Sequence, residues 1–263
     1  MHLKKLALIV EYDGTRFHGF QLQARGNTVQ EELEQAIEAF TGEDLRVTAA
    51  SRTDAGVHAL GQVVSFRTRV PYSPETFVSA LNHHLPEDIA VHGAWEIPAW
   101  FNVRTKAVSR CYEYWMRLNP ARSALLRYRA LDVTSPLELE GMSEAASMLV
   151  GEHDFASFVG SLVPKQASTR RELSRAEFRR RDDLLIFDVE GDSFLHQQVR
   201  RMAGALLEVG RGRLTVAEFG RFLSEPSRGT AGPTLPPQAL YLKAVRYDSP
   251  PLGGSDQETT EKK

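Results

Sequence analysis

The chain has 263 residues, 42% of them hydrophobic, and a formal net charge of −2. That length can bury one large core or two modest ones, while no apolar run approaches the roughly 18 residues that cross a bilayer, which argues against a membrane protein. Cys111 is the only cysteine, so no intrachain disulfide can form and a reducing cytoplasm fits. Met1 to Lys5 leads directly into strand-like sequence, without a signal peptide's apolar segment and cleavage site. Leu6 to Tyr12 reads as a strand with apolar residues on both faces. Val29, Leu33, Ile37 and Phe40 then fall on one helical stripe. Thr28 and Glu31 have capping-box spacing before it, and Gly42 stands where the helix should stop. Leu45, Val47 and Ala49 alternate into a polar loop, and the strand Gln62 to Thr68 leaves it with Val64 and Phe66 on one face. Ser73-Pro74 opens a second helix with the stripe Phe77, Val78, Leu81 and Leu85. Ile89, Val91, Trp95 and Ile97 alternate as a further strand. The order is β-α-β-β-α-β, the split arrangement of ferredoxin-like domains.

The second half is similar but extended. Ser109 to Leu118 and Leu126 to Asp132 are predicted strands, and Leu139 to Val150 is a predicted helix. Arg170 to Arg180 and Leu184 to Glu190 form a predicted hairpin that turns at Asp182-Asp183. Leu195, Val199, Met202, Leu206 and Val209 make a helical stripe, followed by a short helix Val216 to Leu223 and a last strand Ala239 to Tyr247. Residues 250–263 are Gly-, Ser- and charge-rich without an apolar pattern, which predicts a disordered tail.

Charge is unevenly spread. Phe101 to Ala130 holds seven Arg and Lys against one acid, and Lys165 to Arg181 holds seven against two. A nearly neutral protein can thus present a basic cleft to phosphates, although ordinary solvated faces have the same composition. The eight histidines include no HExxH pattern, and the neighbours His83 and His84 diverge on a helix, so no metal site is expected.

The densest chemistry lies in Ser51 to Gly61, where Asp54 sits in a turn-forming loop two residues after Arg52. Ala55-Gly56 let the backbone turn sharply. An acid held at such a corner beside a cation suits a nucleophile or general base that must stay ionised. The same residues also suit a polar turn in which Asp54 caps its own backbone.

The stretch Arg52-Thr53-Asp54-Ala55-Gly56-Val57-His58-Ala59 resembles the signature of the tRNA pseudouridine synthase A family. Other matching segments occur in the family's order. They include Glu11 to Gln21, Val29 to Leu33, Arg110-Cys111-Tyr112-Glu113-Tyr114, Gly151 to Phe158, Phe194 to Gly204 and Leu240-Tyr241-Leu242. The resemblance implies an α+β pseudouridine synthase fold: two ferredoxin-like (RRM-like) halves sharing a mixed, largely antiparallel sheet, with helices on one side and a central RNA-binding cleft. Residues 1–105 would carry the Asp54 loop and residues 106–249 would complete the cleft, with the boundary near 102–108 belonging to it. It further implies isomerisation of uridine at positions 38, 39 and 40 of the tRNA anticodon stem-loop, by a cytoplasmic homodimer that needs no cofactor and no membrane. On the same basis Asp54 is the catalytic aspartate. Arg52 takes the place of the flipped base, Tyr112 stacks against uracil, and Arg200 holds Asp54 by a salt bridge. His58, Tyr114, Phe155, Phe158 and Phe194 are expected to support or pack, and Arg201 to be solvated or to touch phosphate. The chain departs from the family pattern at Ser51, where glycine is usual, at Phe101-Asn102-Val103-Arg104, and at Thr169-Arg170-Arg171. A non-catalytic RNA-binding module of ferredoxin-like fold is the competing expectation. A glycosidase is a third, although it normally uses two carboxylates.

Overall fold

The computed structural model describes residues 3–248. The predicted tail at 250–263 lies outside them. The first half runs β1 (Lys4–Tyr12), α1 (Val29–Thr41), β2 (Thr48–Ala49), β3 (His58–Thr68), α2 (Pro74–His84) and β4 (Ile89–Ile97). The second runs β5 (Ser109–Leu118), β6 (Leu131–Val133), α3 (Leu139–Ser147), β7 (Gly151–Asp154), β8 (Arg170–Arg181), β9 (Leu184–Gly191), α4 (Gln198–Gly210), α5 (Val216–Ser224) and β10 (Leu240–Arg246). The helix starts are capped as the sequence suggests. The Thr28 side chain accepts from Glu31 N–H and Ser73 from Thr76 N–H, with Pro74 in the first turn of α2.

All these strands join one mixed sheet in the order β4-β1-β3-β10-β5-β9-β8-β7, with β2 on β3 and β6 on β5. Within each half the ladders are antiparallel apart from β6 on β5. The halves meet where β10 runs parallel to β3, through Tyr241 opposite His58 and Leu242 opposite Ala59. That seam lies at the start of β3, directly after the Asp54 loop, so the loop is placed where the two halves join. Leu6, Leu8, Val64, Tyr114 and Phe187 point from the sheet into the main core, where they meet Leu33, Ile37, Phe77, Leu81, Met142, Met202 and Leu206 from the helices. The opposite face is closed by shorter segments. Phe101 and Val103 pack over Ala7 and Val63, while Leu126 and Ala130 pack near Ile186.

Three element predictions need correction. Leu126 to Asp132 is not one strand, because only residues 131–133 pair with β5. Upstream, Leu126 N–H donates to Ser123 Oγ and the Arg129 and Ala130 N–H groups to Leu126 O, which closes a turn over those residues. The predicted strand over residues 45–49 shrinks to Thr48–Ala49, since β10 shares the same edge of β3. Leu195 precedes α4, whose start is displaced by the left-handed backbone of Gln197 (φ 62°).

The basic segment 165–181 is partly internal. Arg179 and Lys243 pair with Glu113, and Arg175 pairs with Asp188 at 2.8 Å, both acids being buried. Burial alone would raise the Glu113 carboxyl, but Lys243, Trp115 and Arg179 hold it below its ordinary value. Removing one partner would strand a buried charge, so these arginines stabilise the sheet.

Five phenols, those of Tyr12, Tyr112, Tyr114, Tyr241 and Tyr247, are pushed up by burial, Tyr112 to about 12. Each stays protonated in the fold at a pH where an unfolded tyrosine, with a pKa of about 10, has ionised. Their stabilisation is complete below about pH 10 and is lost as pH rises through the folded values. Urea midpoints should therefore fall between about pH 9 and about pH 11. Tyr112→Phe should make that fall shallower, whereas a flat midpoint across the window would contradict the coupling.

Candidate active site

The Asp54 loop is held from behind by side chains that never reach the cleft. Buried Gln62 accepts from Ser51 N–H at 3.3 Å and donates to Ser51 O at 2.8 Å. Tyr12 Oη shares a 2.8 Å hydrogen bond with Thr53 Oγ1. Phe20 N–H donates to Thr53 O at 3.1 Å, and Gly56 N–H to Phe17 O at 3.2 Å. The close approach at Thr53 requires Gly19, whose φ is 97° and whose added Cβ would stand 2.8 Å from Thr53 O. The turn itself uses Gly56 at φ 77° and a Val57 N–H bond to Asp54 O of 3.1 Å. With its backbone fixed from both sides, the loop projects the Asp54 side chain in one direction.

That direction is across the seam, towards α4. Arg200 Nη1 lies 3.3 Å from Asp54 Oδ2, and Arg200 Nε donates to Leu235 O at 2.7 Å. The carbonyl orients the guanidinium so that one edge faces the acid, a charge-assisted contact. Asp54 Oδ1 faces His196 Nε2 at 3.7 Å. Among the described residues the carboxylate takes no bond from its own loop's backbone, so the polar-turn account of Asp54 does not hold. His196 is a site residue that the sequence reading passed over. Its Nδ1 is buried without a partner, and the motif containing it offers no local sign that it faces an acid 142 positions earlier.

Tyr112 is buried in β5, edge-on to Phe194 with ring centroids 5.2 Å apart. Its hydroxyl shares a 2.9 Å hydrogen bond with Ser51 Oγ. The serine found in place of the expected glycine thus ties the Asp54 loop to the second half. Arg52 is exposed and lines the cavity, and no ion pair or hydrogen bond engages its guanidinium among the described residues.

These residues surround a cavity of about 790 Å³, within the range of small-ligand sites and large enough for a nucleoside. Its lining holds four arginines, Arg52, Arg104, Arg110 and Arg200, against the single carboxylate of Asp54. Arg104 comes from the crossing between the halves and Arg110 from the start of β5. Among the described residues no cluster of three His, Cys, Asp or Glu could hold a metal ion.

Other motif residues serve the scaffold. His58 Nδ1 accepts from Gly14 N–H at 3.0 Å, and its Nε2 faces Tyr128 O and Gln238 O at 3.0 and 3.1 Å. Burial pulls its pKa down against the opposing charge of Asp13, so His58 is a neutral prop across the seam. Tyr114 donates to Pro236 O at 2.9 Å, and Phe155 and Phe158 are fully buried. Arg201 is half-buried, and its Nη1 is engaged by the scaffold. It donates to Gly229 O at 3.0 Å and Ala231 O at 3.4 Å, which anchors the loop after α5.

Two ferredoxin-like halves joined edge to edge, with one carboxylate presented in the cleft at their seam, define the pseudouridine synthase fold class. The sequence model of one family, described as tRNA pseudouridine synthase, matches residues 8–105 and 145–248. A tRNA pseudouridine synthase A from Syntrophomonas wolfei is 42% identical over 245 residues, covering 93% of this chain and 98% of its own. One from Acetivibrio thermocellus is 40% identical and covers 93% and 100%, and one from Paraburkholderia phymatum is 39% identical and covers 93% and 91%. The chain therefore belongs to the tRNA pseudouridine synthase family. Among solved structures, a dye-decolorizing protein from V. cholerae aligns at a TM-score of 0.20 and 10% identity over 81% of this chain and 87% of its own, which is too weak to bear on the fold.

Proposed function

We propose that the protein isomerises uridine to pseudouridine at positions 38, 39 and 40 of the tRNA anticodon stem-loop, with Asp54 as the catalytic carboxylate. The observation that carries this reading is the lone acid of the cavity, held by Arg200 and aimed into a space of nucleoside size. The reaction breaks the bond from uracil N1 to ribose C1′ and forms one from C5 to C1′. The C5 proton leaves and N1 gains one, so the product has the mass of the substrate and no oxidant, reductant or energy source is consumed. Asp54 supplies the charge that works on the ribose or the base. Tyr112 gives the uracil an aromatic face, and its phenol stays protonated because burial lifts it to about 12. Arg52 is free to enter the stack vacated by the target base, as a planar cation that can stack and bind phosphate. Residues 1–105 and 106–249 serve as the two halves of the cleft, and the working form is a cytoplasmic homodimer. No described helix is long and apolar enough to cross a membrane.

A simple RNA-binding module would not place a carboxylate, which repels phosphate, at the centre of its cleft. A glycosidase would normally have a second acid across the cavity, and the lining contains one. The deciding experiment incubates pre-folded tRNA with the protein in excess chelator and maps modified uridines. Mass-silent conversion at the anticodon stem-loop, undiminished by chelator, is expected. Binding without conversion, or release of free uracil, would refute the proposal.

A further inference from the structure

Arg110 lies two residues before Tyr112 on β5 and so shares its face of the sheet. Its guanidinium bonds to three chain segments beside the cleft. Nη1 donates to Ala107 O at 3.2 Å and Asp192 O at 2.7 Å, and Nη2 donates to Ala50 O at 3.1 Å and Arg104 O at 2.7 Å. Ala50 immediately precedes the Asp54 loop. Arg104 and Ala107 form the crossing between the halves, and Asp192 opens the segment that carries Phe194 and His196.

Arg117, Arg175, Arg179 and Lys243 each pair with a carboxylate. Arg110 meets four carbonyl dipoles and, among the described residues, no acid within ion-pair distance. Carbonyl-only acceptor sets also occur at Arg201 and Arg228, but neither of those arginines lines the cavity. Carbonyls satisfy its hydrogens but leave the full positive charge in place. Withdrawing such a charge from water is unfavourable without a counter-ion, and burial indeed pulls the guanidinium below the ordinary arginine value. Nε is the one nitrogen without an acceptor, and it is not among the buried unpartnered atoms. One donor therefore remains open on a residue that lines the cavity.

We infer that Arg110 is an anion seat in the cleft, whose open Nε–H and charge without an ion-pair partner take one phosphodiester oxygen beside the target uridine. The inference rests on the proposed function for the identity of the RNA. Its four carbonyl contacts keep the seat at a constant distance from the Asp54 loop, so a phosphate docked there fixes which nucleotide reaches the acid. The detached uracil is also an oxyanion and could meet the same charge, and the two sources separate experimentally.

The test measures binding of an anticodon stem-loop RNA as a function of salt, for the full-length protein and for Arg110→Met and Arg110→Lys. It is repeated with RNAs in which single linkages around the target uridine are neutral methylphosphonates. Binding is read without turnover, so absence of conversion by the unaltered protein would sink the proposed function while leaving this result readable. For Arg110→Met, affinity at low salt should fall about tenfold and the salt slope should flatten by about 0.7 to 0.9, the share of one phosphate. Arg110→Lys should keep the slope. In the unaltered protein one methylphosphonate next to the target should cost about tenfold, and the same linkage should be silent in Arg110→Met, as a double-mutant cycle requires. Should Arg110→Met fail to fold, the methylphosphonate scan on the unaltered protein and on Arg110→Lys still decides. A scan with no sensitive linkage beside the target overturns the seat. So does a variant that loses only kcat while its binding and salt slope are unchanged, which would assign the charge to the departing base.

Discussion

Asp54→Ala and Asp54→Asn should abolish uridine conversion, with a loss of at least about 10⁴ in rate, equivalent to about 5.4 kcal/mol of transition-state stabilisation. The protein should remain folded. Gln62, Tyr12 and Phe20 hold the loop through its backbone and Thr53, and none of these bonds uses the Asp54 side chain. Arg200 keeps its orientation through Leu235 O. RNA affinity should be retained or increased, because the substitution removes the one negative charge from a cavity lined by four arginines. That combination, dead chemistry with undiminished binding, distinguishes a catalytic acid from a structural one. Single-turnover assays with matched binding curves measure both, and near-normal turnover by Asp54→Ala would remove Asp54 from the mechanism.

The two arginines nearest Asp54 should fail in different ways. Arg52 is exposed and, among the described residues, unengaged, so its guanidinium is available to an incoming RNA. If it helps to extract or replace the target base, Arg52→Ala should slow conversion of structured tRNA by about tenfold or more. It should cost much less on a short RNA whose uridine is already unpaired, because the unstacking cost of a few kcal/mol is then largely absent. Arg200 is already engaged before substrate binds, with Asp54 on one side and Leu235 O on the other. Arg200→Ala should impair both RNAs alike, by about 10² or more, since it leaves the carboxylate without its charged partner. The measurement is kcat/KM for two variants on two substrates. Equal losses for Arg52→Ala on both RNAs would reject base extraction. A substrate-dependent loss for Arg200→Ala would reject its role as the holder of Asp54.

The elements that could be read in the chain are those with a strong local cause. α1 and α2 begin where Thr28 and Ser73 cap them, β4 occupies the residues its alternation marks, and β5 has the predicted bounds. The misread elements depend on neighbours. Residues 124–130 carry strand-like side chains but turn because Ser123 and Leu126 capture their N–H groups. β2 is short because a strand from the far end of the chain lies on the same edge of β3. β7 lacks a pattern long enough to register, since its four residues owe their extended form to β8.

The candidate site divides along the same line. Arg52 and Asp54 stand two residues apart in one turn, and the motif order around them was enough to indicate the family and the fold class. Local sequence carries this information because turn residues, caps and periodicity act over a few positions. It says nothing of what a side chain meets across a seam. Only the packed sheet brings Arg200 and His196 to Asp54, ties Tyr112 to Ser51, and leaves Arg110 among carbonyls with no acid. The same packing commits two of the seven charges of an apparent basic patch to buried acids, Arg175 to Asp188 and Arg179 to Glu113. Charge in a sequence is a count, whereas its availability to RNA depends on which opposite charges folding places within a few ångströms.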